Sequence, residues 1–227
     1  IARDDGENEV VSWLRLVALL GAPTGDTRLE LQVGPADEAR ADELLARRGD
    51  GPLIGLHLGA KDPARRWPAE RFAALGAALR RHTGATLVLT GGAHEAELTA
   101  PVARALGPAA LDLTGRTDLG ALAAVIRRLD LLVSNDTGAS HVAAAVAAPS
   151  LVLFGPTRPA QFAPLERERH AVIDAAEQTP AQGGAALALR HLPVAPVLAA
   201  ALTQLARHAR PLAARSLGGA QEAPWRA

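Results

Sequence analysis

The 227-residue chain contains no cysteine, so disulfides, thiolate nucleophiles and Cys-ligated zinc are excluded together. Its seven histidines show no H-E-x-x-H spacing, and no metal site is expected from them. Charge of one sign is missing as well: 24 Lys+Arg balance 24 Asp+Glu, leaving no long-range field to gather nucleic acid or anionic lipid. No apolar run approaches the ~20 residues that cross a bilayer. The charged opening (Arg3, Asp4, Asp5, Glu7) has the wrong composition for a secretory signal, and the chain starts at Ile1 rather than Met. A soluble cytoplasmic fragment or processed chain is the expectation. Aromatics make up 3%, which reflects source composition more than function. There is no G-x-G-x-x-G after the first strand and no Walker lysine motif, so ordinary dinucleotide and P-loop readings lose their main support.

What is present is a rhythm. From Gly51 onward, short apolar runs alternate with longer helical patterns, the signature of a parallel sheet with crossover helices. Strands are expected at Pro52–Leu58, Thr86–Thr90, Ala110–Leu113, Leu131–Ser134, Ser150–Phe154 and Ala171–Asp174. Helices are expected at Pro68–His82, ended by Gly84, then at Glu95–Leu106, Asp118–Leu129, Thr137–Ala147 and Val194–Arg207. Thr179–Gly184 reads as loop and Ser216–Ala227 as a polar tail. Upstream, Glu9–Leu20 and Asp37–Arg48 read as helices and Leu29–Val33 as a short strand. The fold class is therefore α/β, a doubly wound Rossmann-like parallel sheet. Its expected organisation is a connecting segment over 1–50, a Rossmann-like domain over 51–212 and a tail over 213–227.

Chemistry in such a sheet collects where strands end, because the following helices aim unpaired N–H groups and positive dipole ends at the crevice. Three segments qualify. In S-N-D-T-G-A-S-H at 134–141, Asp136 or Thr137 can cap the next helix and Gly138 admits close approach to the backbone, so the turn can hold a diphosphate. Asp136 repels free phosphate and suits a sugar hydroxyl better. An ordinary N-cap with a packing glycine and a half-buried His141 would read the same way. In L-G-A-K-D-P-A-R-R-W-P at 58–68, Lys61, Arg65 and Arg66 cluster before a helix start, where the dipole disfavours cations. Arg65 or Lys61 can offset charge on a leaving diphosphate; a solvated basic loop with Trp67 as a plug is the plainer alternative. In T-G-G-A-H-E at 90–95, two glycines allow a tight turn and Glu95 can bind a ribose diol, although turn chemistry alone explains it too. Gly155-Pro156-Thr157 also follows a strand and can border the crevice, although a rigid turn is the stronger reading.

The order of these pieces matters more than any one of them. The H-L-G-A loop with R-R-W-P, then L-V-L-T-G-G with its Glu, then S-N-D-T-G-A-S-H-V-A-A-A and L-V-L-F-G-P-T, together resemble the C-terminal half of the lipopolysaccharide heptosyltransferase family, glycosyltransferase family 9, over roughly Asn8 to Asp174. The resemblance implies the C-terminal half of a GT-B fold. It also implies a nucleotide-diphospho-sugar donor, typically ADP-heptose, and inverting transfer to a lipopolysaccharide-core or related glycan acceptor without a catalytic metal or cofactor. By position, Asp136, Thr137, Gly138, Ala139 and His141 would meet the donor's sugar and diphosphate, and Glu95 the nucleotide ribose. The glycine-bearing loops Gly59-Ala60 and Gly91-Gly92 would line the same pocket, while Arg65 and Lys61 would stabilise the leaving group. The family commonly carries Lys where Arg65 stands, and a Cys-containing segment after Asp174 that this chain lacks. The family's general base lies in an N-terminal domain, through which peripheral membrane association at the inner face of the bacterial inner membrane is expected. A non-catalytic nucleotide-sugar-binding module and a GT-B-like epimerase are the competing readings.

Overall fold

The computed structural model describes residues 6–178 and 185–208. Two helices, α1 (Glu9–Ala18) and α2 (Pro35–Leu44), precede the first strand, β1 (Leu53–His57). Then follow α3 (Ala69–Thr83), β2 (Thr86–Thr90), α4 (Ala96–Leu106), β3 (Ala110–Asp112), α5 (Leu119–Arg128), β4 (Leu131–Asn135), α6 (Gly138–Ala145) and β5 (Ser150–Phe154). The short α7 (Pro159–Phe162), β6 (His170–Asp174), α8 (Ala175–Gln178), α9 (Ala185–His191) and α10 (Val194–Arg207) complete the order. The six strands form one sheet, β3-β2-β1-β4-β5-β6, with every pairing parallel.

Strands β1, β2, β4 and β5 are buried along their whole length, which is why they read as unbroken apolar runs rather than alternating ones. Successive residues still serve opposite faces. Ile54, Leu56, Leu87, Leu89, Leu131 and Val133 enter a core shared with α3, α4 and α10. Leu53, Val88 and Leu132 enter a second core with α2, α5 and α6. Helix α3 places Phe72, Leu75 and Leu79 on its buried stripe and ends where Gly84 adopts φ 67°, a left-handed conformation that glycine reaches without a Cβ clash.

Several expectations need correction. Leu29–Val33 forms no strand, because the sheet's edges are β3 and β6 and neither pairs with it. The second helix starts at Pro35, two residues early, since Pro35 is preset for a first turn and Asp37 accepts the Gly34 N–H at 2.9 Å. It also stops at Leu44 rather than Arg48. Helix α1 stops at Ala18, buries none of its residues and leaves Trp13 62% exposed. Pro68 is the N-cap of α3 rather than its first turn. Helix α6 ends at Ala145, and Ala147 takes φ 54°. The expected loop Thr179–Gly184 and tail Ser216–Ala227 lie outside the described residues. Among those described, no helix is long and apolar enough to cross a membrane.

Candidate functional site

Strands β1 and β4 are neighbours, yet the chain leaves β1 towards β2 and leaves β4 towards β5 on the opposite side. The loops beyond their carboxyl ends therefore diverge and open a crevice, the position where ligands enter sheets of this kind. Four loops border it, after β1, β2, β4 and β5.

The β1 loop begins with the buried Gly59 and Ala60 and then emerges at the exposed Lys61 and Asp62. Asp62 accepts the Ala64 N–H at 2.9 Å and starts a single 3-10 turn over Pro63–Arg65. Arg66 folds back, its Nε donating to the Ala60 carbonyl at 2.8 Å within the same loop. Trp67 is 1% exposed, donates from Nε1 to the Leu192 carbonyl at 2.9 Å and meets Phe72 edge-on. It is a plug beneath the loop. The loop is tied to β4 by Asn135, whose Nδ2 donates to the Leu58 carbonyl at 2.7 Å and whose Oδ1 accepts the Trp67 N–H at 3.0 Å. One buried amide thus satisfies a carbonyl and an N–H on either side of the eight-residue loop 59–66.

Asp136 follows directly and is 3% exposed. Its Oδ2 accepts the Thr157 hydroxyl at 2.6 Å and lies 3.5 Å from Arg65 Nη1, joining the loops after β1, β4 and β5. Neither Asp136 nor Thr137 caps α6, contrary to the sequence expectation: Thr137 holds the N-cap position without a side-chain hydrogen bond. Ser140 instead donates to the Thr137 carbonyl at 2.7 Å. The Ser140 N–H also donates to the Thr137 carbonyl at 3.1 Å, and no side chain caps the N–H groups of Gly138 and Ala139. Gly138 is exposed, and apart from its chain neighbours and its own helix backbone nothing lies within 4 Å of where a Cβ would stand, so a ligand can approach these amides directly.

Glu95 lies 8% exposed on the β2 side, its Oε2 accepting the Gly92 N–H at 2.8 Å. A Cβ on Gly59 would fall 1.8 Å from Oε1, so the carboxylate rests against bare backbone, with Gly91 close on another side. Behind it, His57 Nδ1 pairs with Thr90 Oγ1 at 3.0 Å. Burial lowers the His57 pKa and the Glu95 charge opposes that shift, leaving a neutral ring under the carboxylate. His141 lies elsewhere on α6, in a groove lined by Asn8, Glu9, Gln161, Phe162 and His170.

The structure thus gathers Arg65, Asp136 and the opening of α6 at one point, with Gly59, Gly91, Gly92 and Glu95 forming the adjoining wall. Lys61 stands exposed on the rim, and His141 faces α1 and α7. Asn135, Thr157 and His57 all stand inside the motifs quoted from the sequence, but the sequence assigns none of them an individual role. Asn135 sits inside the segment singled out for its neighbours, Thr157 closes a turn that reads more readily as rigid than as a crevice border, and His57 opens the H-L-G-A motif with no role of its own. The chemical capacity is clear: a helix opening and a loosely held guanidinium suit an oxyanion, and buried carboxylates facing the crevice suit hydroxyls. Among the described residues no group of three or more His, Cys, Asp or Glu side chains is placed to hold a metal ion.

Comparison with known proteins agrees with this geometry. The family described as glycosyltransferase family 9 (heptosyltransferase) matches residues 1–187. Lipooligosaccharide heptosyltransferase 2 of Haemophilus influenzae is 33% identical over 144 residues, which are 60% of this chain and 41% of that protein. Among solved structures, a family 9 glycosyltransferase from Veillonella parvula aligns with TM-score 0.77 at 26% identity, covering 88% of this chain and 60% of that one. The E. coli ADP-heptose lipopolysaccharide heptosyltransferase II aligns with TM-score 0.67 at 28% identity, covering 78% of this chain and 54% of that one. The chain thus spans about two fifths of the length of the curated relatives it matches.

Proposed function

The chain belongs to glycosyltransferase family 9, the heptosyltransferases, and from that premise we propose that its crevice binds the ADP-heptose donor of a heptosyl transfer to a lipopolysaccharide-type acceptor. The donor is the one named for the E. coli relative. The observation that carries the reading is the meeting of Arg65, the Thr157-bound Asp136 and the uncapped start of α6 at the β1/β4 switch point.

In this reading the diphosphate lies on the N–H groups of Gly138 and Ala139, where unpaired donors and the helix dipole favour negative charge. Arg65 and Lys61 offset the charge that builds on it. Asp136 accepts a hydrogen bond from a hydroxyl of the sugar, and Glu95 accepts from the ribose diol beyond the Gly59 and Gly91 backbones. In the transfer, the acceptor oxygen forms a bond to the anomeric carbon while the bond from that carbon to the diphosphate oxygen breaks. ADP departs with the electron pair, and the configuration inverts. The acceptor's proton passes to a general base that we place, with the acceptor surface, on the portion of the enzyme beyond the length this chain shares with its relatives. We place the reaction on the cytoplasmic side of the membrane that carries the acceptor.

Titration calorimetry of the 227-residue chain with ADP tests the donor site. Arg65→Ala is expected to weaken ADP by about tenfold at low salt, the scale of a charge-assisted contact, with a smaller loss as salt rises. Failure of the parent chain to bind ADP, or equal affinity of parent and Arg65→Ala, would reject the assignment.

A further inference from the structure

Both contacts recorded on the Asp136 carboxylate converge on one oxygen. Thr157 donates to Oδ2 at 2.6 Å, within the range of a strong hydroxyl-to-carboxylate bond. Arg65 Nη1 stands 3.5 Å from the same atom, beyond ordinary hydrogen-bond length. Arg65 is thus loosely held, and its Nε is buried with no hydrogen-bond partner. A guanidinium in that condition gains by turning to an arriving diphosphate. Once it turns, Thr157 alone continues to hold Oδ2. Among the described residues nothing hydrogen-bonds Oδ1, which is left as the carboxylate's unengaged acceptor.

Thr157 is itself well placed for this. The turn after β5 reaches Asp136 through Pro156, whose ring fixes one backbone dihedral. The β4 loop is fastened to the same strand, because the Asp136 N–H donates to the Leu153 carbonyl at 3.1 Å. A β-branched side chain with few χ1 choices completes the link. We infer that Thr157 is a positioning residue that sets recognition of the donor's sugar: it occupies Oδ2, fixes the carboxylate plane and aims Oδ1 at a sugar hydroxyl. The inference rests on the proposed role of Asp136 as the sugar contact and adds to it the group that makes that contact directional.

The experiment compares ADP with ADP-heptose by titration calorimetry on the full 227-residue chain, reading the factor by which the sugar tightens binding. Thr157→Val keeps the shape and removes the donor. It is expected to leave ADP affinity within about twofold and to lower the sugar's factor by about five- to tenfold, the scale of one ordinary hydrogen bond, because the sugar contact is misaimed rather than removed. Thr157→Ala, smaller but equally without a donor, should show the same selective loss, and Thr157→Ser should restore the factor. A purely structural role would weaken both ligands in parallel, and that result would overturn the inference. So would a Thr157→Val protein that keeps the full sugar factor while Asp136→Asn loses it, in which case the Asp136 reading stands alone. If the parent shows no sugar factor, or Asp136→Asn retains it, the Asp136 reading fails and the inference with it.

Discussion

Gly59 leaves no room for a side chain: a methyl group there would stand 1.8 Å from Glu95 Oε1. The obstructing atom is the end of a flexible side chain, so Gly59→Ala is expected to fold and to expel the Glu95 carboxylate from its bond to the Gly92 N–H. Nucleotide affinity should then fall to that of Glu95→Ala, by about three- to tenfold if the carboxylate accepts two ribose hydroxyls. Calorimetry with ADP reads the outcome, and unchanged affinity in Gly59→Ala would remove Glu95 from the ribose site. Glu95 was legible in the sequence because a carboxylate after two glycines at a strand end is a local pattern. His57 and Thr157 were not, since each acquires its meaning from a partner brought up from another strand: Thr90 is 33 residues from His57, and Asp136 is 21 from Thr157.

At the scale of elements, the strands that lie wholly in the core were the most legible, because burial on both faces writes an unbroken apolar run. Leu29–Val33 has the residue types of a strand without an edge to join, and no local signal reports that. The 3-10 turn Pro63–Arg65 and helices α7 and α8 are four residues or fewer, too short for a helical period to register. The clamp between elements is Asn135, whose partners Leu58 and Trp67 are 77 and 68 residues away. Asn135→Ala leaves a buried carbonyl and a buried N–H unsatisfied together, which is expected to destabilise the fold by about 2–4 kcal/mol. It should also free the β1 loop that carries Arg65. Urea unfolding reads the first effect, and protease cleavage near Lys61 and Arg65 the second. A stable variant with an unaltered cleavage pattern would show that the loop is held by Trp67 packing alone.

For the molecule as a whole, the doubly wound order was legible from the alternation of runs and helical patterns, whereas the response to acid was not, because it depends on which histidines the finished sheet encloses. His170 lies on β6, 1% exposed, with Nδ1 against Ser150 Oγ of β5 at 2.9 Å. Burial pushes its pKa from 6.5 down to about 4, with Glu166 opposing the shift and Arg169, His208 and Arg167 adding to it. Burial moves His57 in the same direction. A histidine whose folded pKa is depressed binds fewer protons folded than unfolded. Its contribution is therefore complete above the unfolded pKa near 6.5 and lost as pH falls towards 4. For His170 the loss over that window is at most about 3 kcal/mol, at 1.36 kcal/mol per unit. The unfolding free energy should hold level between pH 8 and 7 and decline below 6.5. His170→Asn, which keeps a polar partner for Ser150 without titrating there, should have a shallower decline than the parent. Superimposable parent and variant curves between pH 7 and 4.5 would assign the acid sensitivity to other groups, the buried His57 among them.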